Sequence, residues 1–243
     1  MISLPFLFAL PSASQEKPAL LKEVDFESGD LNAMNLQAGN EDAIAIVSSP
    51  VRSGSGAVKT VLRITDPIVH KGQRAELSDG KKEPLIEMDH DYWYGLSIFL
   101  PDGFRPPSES DAVLFQWHSQ QGGPSPVLAI RVRGEQWKIT SDATPDKRRK
   151  LAVISLERGK WTDWVIHVRW SSSPDGFWTI WKDKTEVVSE TGIITQYPEE
   201  RGPYAKFGQY HSVDKNVSEN TVYFDEYRIA GPGANYESIA PRP

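Results

Sequence analysis

The stretch Pro203–Ser212, P-Y-A-K-F-G-Q-Y-H-S, decides the reading of this chain. Strand alternation puts Tyr204, Lys206, Gly208 and Tyr210 on one face and Ala205, Phe207, Gln209 and His211 on the other. One face therefore carries a phenol, an ammonium, a position without a side chain and a second phenol. That row suits the floor of a site for an anionic sugar. Lys206 attracts a carboxylate, Tyr210 passes a proton, and Gly208 lets a bulky substrate approach the backbone. The plainer reading is an amphipathic strand with one wet face.

Working outward, the chain reads as short apolar or alternating runs separated by Gly, Pro, Asn and Asp. Strands are expected at 21–26, 43–47, 57–64, 73–77, 92–100, 112–118, 127–133, 136–140, 161–170, 176–182, 204–211 and 221–230. The runs 127–133 and 136–140 pair as a hairpin across Gly134-Glu135. No long helix, internal repeat or low-complexity tract interrupts the series. Many short strands in one domain mean an all-β fold, a two-sheet antiparallel sandwich or β-jelly roll of the concanavalin-like kind.

Composition agrees. The 243 residues include eight Trp, eight Tyr and nine Phe with 18 Gly and 18 Pro, which favours strands and turns over helices. A net charge of −6 leaves no footprint for nucleic acid, and it speaks against a strongly sulfated polyanion as partner. With no cysteine there is no disulfide and no thiol chemistry. Residues 1–14, an apolar run Ile2–Leu10 followed by Pro-Ser-Ala-Ser, resemble a signal peptide without the usual basic leader, and they are too short to span a membrane. The expectation is a secreted or periplasmic monomer with one domain over residues 15–243.

Faces can be compared between strands. In 112–118, Val113, Phe115 and Trp117 are expected in the core, leaving Leu114, Gln116 and His118 on the open side. In 127–133, Leu128, Ile130 and Val132 point inward, and Arg131 and Arg133 outward. In 73–77, Arg74 and Glu76 face out. If these strands are neighbours of 204–211, their open faces form one polar groove.

Three motifs then occur in order: R-A-E-L at Arg74–Leu77, Q-W-H at Gln116–His118 and Y-A-K-F-G-Q-Y at Tyr204–Tyr210. Together they resemble the signature strands of the alginate-lyase-type jelly roll, R-x-E-L, Q-[IVW]-H and Y-x-K-x-G-x-Y, within the wider glucuronan-lyase and heparin-lyase-I group. The first motif continues as Ser78-Asp79 where alginate lyases commonly carry a second arginine, which makes a glucuronan-like polymer as good an expectation as alginate.

The resemblance implies a lyase that removes the C5 proton of a uronate and expels the 4-linked sugar. The carboxylate must be neutralised first, a task for Gln116 and Arg74, with Glu76 holding the arginine. His118 or Tyr210 takes the proton and Tyr210 protonates the leaving oxygen. In glucuronate or mannuronate the proton and O4 share a ring face, so Tyr210 can do both jobs; in guluronate or iduronate they lie opposite, and His118 as base with Tyr210 as acid fits better. Glu76, Arg131, Arg133, Tyr204 and Lys206 are expected to bind substrate. His167 and His211 are read as structural, Trp161, Trp164, Trp170, Trp178 and Trp181 mostly as core, and K-R-R-K at Lys147–Lys150 as a solvated hairpin tip, with gripping a polyanion at a distal subsite as the alternative.

Glu27 in D-F-E-S-G-D and Asp225 in F-D-E resemble the paired terminal strands that hold a structural Ca²⁺ in many jelly-roll carbohydrate proteins. No redox or nucleotide cofactor is expected. A retaining hydrolase would want E-x-D-x-x-E, which Glu87-Met-Asp89-His-Asp91 begins but does not complete. The alternative of another class is a non-catalytic carbohydrate-binding jelly-roll module.

Overall fold

The computed structural model describes residues 20–80, 83, 85–121, 126–144 and 148–242. The signal-peptide expectation for residues 1–14 lies outside the described residues. The strands are β1 Leu20–Val24, β2 Asn35–Ala38, β3 Ile44–Val47, β4 Ala57–Arg63, β5 Gln73–Ser78, β6 Asp91–Phe99, β7 Ala112–His118, β8 Leu128–Arg133, β9 Gln136–Ser141, β10 Arg149–Ser155, β11 Trp161–Arg169, β12 Gly176–Lys182, β13 Thr185–Ile193, β14 Tyr204–His211 and β15 Glu219–Ala230. One sheet runs β13-β12-β11-β6-β15-β4-β3, with β1 alongside the C-terminal half of β15. The other runs β10-β9-β8-β7-β14-β5-β2. All these pairings are antiparallel, and the result is the expected jelly-roll sandwich.

Inward-facing aromatic side chains fill the space between the sheets. Trp117 and Trp137 of the second sheet meet Tyr94, Trp164 and Trp170 of the first, with Trp137 edge-on to Trp164 at 5.4 Å. Each such side chain removes roughly 200 Å² from water, a gross gain of roughly 5 kcal/mol against its ordering cost. Trp164, Trp170 and Trp178 are core as expected, but Trp161 and Trp181 are half-buried on the outer face of the first sheet. There Trp181 and His167 flank Trp93, whose ring stacks on His167 at 3.9 Å.

Three strands escape a sequence reading. β2 and β13 are polar edge strands without alternation, and β10 begins inside the K-R-R-K run, so its charges mimic a loop. Lys147 lies outside the described residues, Arg149 and Lys150 start the strand, and Arg148 just before it reaches the cleft described below.

The register of the second sheet positions the site. β14 pairs with β5 without interruption, Lys206 opposite Ser78 through His211 opposite Gln73. Against β7 it advances from Phe207↔Phe115 to Tyr210↔Val113, three residues against two, so β14 bulges at Gly208-Gln209. β7 slips in turn against β8 between Val113 and Phe115. The slip corrects the expected alternation: Val113 turns to the open face with Arg131, while Leu114 enters the core beside Phe115 and Trp117.

Gly208 serves the bulge, not substrate approach as expected from sequence. Its φ is +135°, and a Cβ there would overlap the Ala75 carbonyl oxygen of β5. Gly208→Ala should therefore cost about 2–3 kcal/mol, lowering the thermal midpoint by roughly 5–10 °C in a circular-dichroism melt. An unchanged midpoint would mean that the bulge is not under this constraint.

Candidate active site

Strands β8, β7, β14 and β5 are consecutive neighbours, so the open faces compared by sequence do form one surface. It holds a cleft of about 550 Å³. Cross-strand register sets three rows: Arg131–Val113–Tyr210–Arg74, then Ala129–Gln116–Lys206–Ser78, then His118–Tyr204. Gln37 of β2, His70 and Lys71 from the turn before β5, Pro126, and Arg148 complete the lining. The chain has a net charge of −6, yet among the described residues no carboxylate lines the cleft while lysine, arginine and histidine do.

The anion that balances these cations lies beneath them. Glu76 is buried, and its Oε2 accepts from Arg74 Nη1 at 3.0 Å and Lys206 Nζ at 2.9 Å, while its Oε1 accepts from Gln116 Nε2 at 2.5 Å. Gln37 Oε1 accepts from the same lysine at 2.7 Å and the same arginine at 3.3 Å. Desolvation outweighs the attraction of Glu76 and holds the Lys206 ammonium below the usual lysine range. Glu76 was expected to touch substrate. It does not line the cleft, because three partners from β5, β7 and β14 close over it.

Arg74 was expected to clasp a carboxylate, but most of its donors are committed inside the protein. Nε donates to Val69 O at 2.8 Å, Nη2 to His70 O at 2.9 Å, and Nη1 to Glu76 and Gln37. Four of the five N–H groups of a guanidinium are thus committed, leaving no fork for bidentate binding. Arg74 instead lies under the Tyr210 ring, 4.3 Å from its centroid, and ties down the turn that carries His70 and Lys71. Gly72 completes that turn, and a Cβ there would overlap the Tyr210 ring. The cleft residues His70, Lys71 and Gln37 were missed by sequence reasoning, whereas Arg148 belongs to the K-R-R-K run for which a distal subsite was the alternative reading. His70 and Lys71 both sit at positive φ in a turn that sequence marks only by its Lys-Gly pair.

His118 stands at the other end of the cleft, beside Tyr204 with ring centroids 5.6 Å apart. Its Nδ1 donates to the Ser119 carbonyl oxygen at 3.0 Å. Burial, with the charge of Glu76, raises the Tyr204 phenol above its usual value. Arg131 is buried in the cleft wall, its Nε donating to Thr140 Oγ1 at 2.9 Å. Arg133, expected to join it, is exposed beside the Gly134-Glu135 turn and lies outside the cleft because β8 ends there. His211 is buried on the opposite face from Tyr210, as expected.

The expected metal ligands are placed on one loop from two sides. Glu27 accepts from the Ser55 and Gly56 amides and the Ser55 hydroxyl, and Asp225 Oδ2 accepts from the Arg52 and Ser53 amides. Burial, reinforced by neighbouring Glu226, pushes the Asp225 carboxyl up to about 6 in spite of those amides. Carboxylate oxygens are the donors of a calcium site, although these already accept backbone amides and among the described residues no group of three or more His, Cys, Asp or Glu converges to hold a metal.

The Glu76 network generates a direct expectation. Glu76→Ala leaves Arg74 and Lys206 buried without their anion, and should cost about 3–5 kcal/mol in a denaturant titration. A loss below about 1 kcal/mol would mean that the cleft cations need no such counter-charge.

Residues 26–228 match a family model described as polysaccharide lyase. An endo-β-1,4-glucuronan lyase from the fungus Trichoderma reesei superposes with a TM-score of 0.74 at 17% identity, covering 92% of this chain and 99% of that one. A family 7 alginate lyase in complex with substrate superposes with a TM-score of 0.60 at 11% identity, covering 81% of this chain and 84% of that one. A UvrABC system protein C from Trichlorobacter lovleyi is 31% identical over 134 residues, 54% of this chain but 20% of that protein. The chain thus spans about a fifth of the length of that curated relative, and the match carries no argument about function. The two solved structures share the fold; the family model covers most of the chain, which belongs to the polysaccharide lyase family and is a polysaccharide lyase.

Proposed function

We propose that the substrate is a glucuronan-like or alginate-like polymer of 4-linked uronates, cleaved by β-elimination to leave a 4,5-unsaturated uronate end. The observation that carries this is the cleft: four adjacent strands gather an acid–base pair of residue types and a set of cations, and among the described residues no carboxylate lines it. A retaining hydrolase would need two carboxylates there. A polymer is too large to cross a membrane unaided, so a secreted or periplasmic monomer acting on it belongs to the same reading. Among the described residues no helix is long and apolar enough to cross a membrane.

In this reading the carboxylate meets the Gln116 amide and the Lys206 ammonium, which make the neighbouring C5 proton acidic. A base takes that proton, the C5–H electron pair becomes the C4–C5 double bond, and O4 leaves with a proton from an acid. His118 and Tyr210 stand six residues apart along β14, taking Tyr204 as the partner of His118. That is roughly 20 Å of backbone. One residue doing both jobs suits this spacing, so Tyr210 removes the C5 proton as phenolate and returns it to O4. Such a syn elimination fits glucuronate or mannuronate, with His118 and Tyr204 binding a neighbouring sugar.

The test is the ultraviolet absorbance of the new double bond on glucuronan, polymannuronate, polyguluronate, hyaluronan and heparin. Turnover is expected on glucuronan or polymannuronate, with Tyr210→Phe losing at least about a hundredfold and His118→Ala less. Equal losses in both variants together with cleavage of polyguluronate would instead assign His118 as base. Binding without any absorbance change in every polymer would overturn the elimination.

A structural Ca²⁺ held by Glu27 and Asp225 is the second part of the proposal; the ion would neutralise the Asp225–Glu226 region and fasten the loop at 52–56 to both terminal strands. Calcium in excess over chelator should then raise the melting temperature by several degrees, about 2–4 °C for each kcal/mol of binding. Asp225→Asn should remove that gain, and a melt indifferent to calcium would dismiss the ion.

A further inference from the structure

We propose that Arg131, with Arg148 beside it, forms a second carboxylate subsite, so that productive binding requires two uronates in succession. The inference rests on the lyase reading above and extends it to the pattern of charge along the polymer. Arg131 is 5% exposed and lines the cleft. Of its donors only Nε makes a hydrogen bond among the described residues, to Thr140, while Nη2 is enclosed without a hydrogen-bond partner, 3.9 Å from Asp142. Asp142 is already engaged, since both of its oxygens accept from Arg148 Nε at 3.1 Å. A buried guanidinium left one donor short costs free energy in the empty protein that an incoming anion recovers.

Arg74 provides the contrast. It is as deeply buried, but four of its N–H groups are committed inside the protein. Arg131, which also lines the cleft, commits only its Nε among the described residues. Burial and the charge of Arg148 pull the Arg131 guanidinium down to about 10, against the opposing pull of Asp111 and Asp142. Position fits as well. Ala129 lies opposite Gln116, and Arg131 is two residues further along β8, roughly 7 Å, on the order of one sugar ring. The bulge that turns Val113 into the cleft places a small side chain between Arg131 and Tyr210, leaving room for the polymer.

The test uses glucuronan, or whichever polyuronate the protein cleaves, in which half of the carboxylates have been reduced at random to primary alcohols. If two adjacent carboxylates are needed, wild-type kcat/KM falls to about one quarter of its value on the intact polymer; if one is needed, it falls to about one half. Arg131→Gln should have a lower kcat/KM on the intact polymer, mostly through KM, and should shift to the one-half dependence. A purely structural Arg131 would lower both rates by one factor and keep the one-quarter dependence. Should Arg131→Gln not fold, Arg148→Ala reads the same subsite from an exposed position: KM on the intact polymer should rise about threefold or more, and less on the reduced polymer. A wild-type dependence of one half, or an unmoved KM in Arg148→Ala, overturns the subsite while the lyase reading stands. Absence of wild-type turnover on every intact polyuronate overturns both.

Discussion

A single buried carboxylate governs the active-site half of this molecule. Glu76 sits under the cleft with Arg74 from its own strand, Lys206 from the neighbouring strand and Gln116 from the next neighbour around it. Taking two cations out of water is expensive unless their charge is met at close range and their remaining donors are satisfied. Glu76 meets the charge and Gln37 takes further donors. The consequence is rigidity where the chemistry needs it: Lys206 and Gln116 are held from below, with their outer surfaces turned to the cleft. The same network explains how a protein with net charge −6 keeps a cationic groove. Its acidic residues are elsewhere on the surface or beneath the floor.

The second constraint is geometric. Regular pleating would put every second residue of β7 and β14 into the groove, and it does so near Gln116 and Lys206. Near Tyr210 the two strands fall out of step, and the mismatch decides what surrounds the phenol. Val113 rather than Leu114 faces the groove, Arg74 lies beneath the ring, and Arg131 stands one strand further off in the same row. Bulges gather next to catalytic groups because they re-aim side chains without ending the sheet. Here the glycine at φ +135° makes it possible.

The sandwich was legible because its long strands alternate and are bounded by Gly and Pro, and because three motifs ordered their polar residues on non-core faces. Gln116, His118, Tyr204, Lys206 and Tyr210 accordingly reach one cleft. What escaped had physical reasons. The edge strands β2 and β13 bury too few side chains to impose a period, and the charges of K-R-R-K hid the start of β10. A bulge adds one residue to a register that pattern reading assumes unbroken, hence the exchange of Val113 and Leu114. His70 and Lys71 enter the cleft from a turn, and turns carry no periodicity from which direction can be read.

Donor accounting separates residues that sequence makes equivalent. Arg74, Arg131 and Arg133 are all arginines on outward positions of strands that border the cleft, and motif reasoning gave the first the leading role. The hydrogen bonds reverse that order. Arg74 has a buried carboxylate, a glutamine and two carbonyls as partners, so it shapes the wall and the ring above it. Arg133 is hydrated and has no reason to wait for a ligand. Arg131 alone of the three is both buried and short of a hydrogen-bond partner among the described residues. A protein interior seldom leaves such a group unmatched, because the desolvation penalty is paid with nothing returned. In the proposed subsite a carboxylate-bearing polymer would return it at the moment of binding, and in doing so would convert a local defect of the folded protein into selectivity for its substrate.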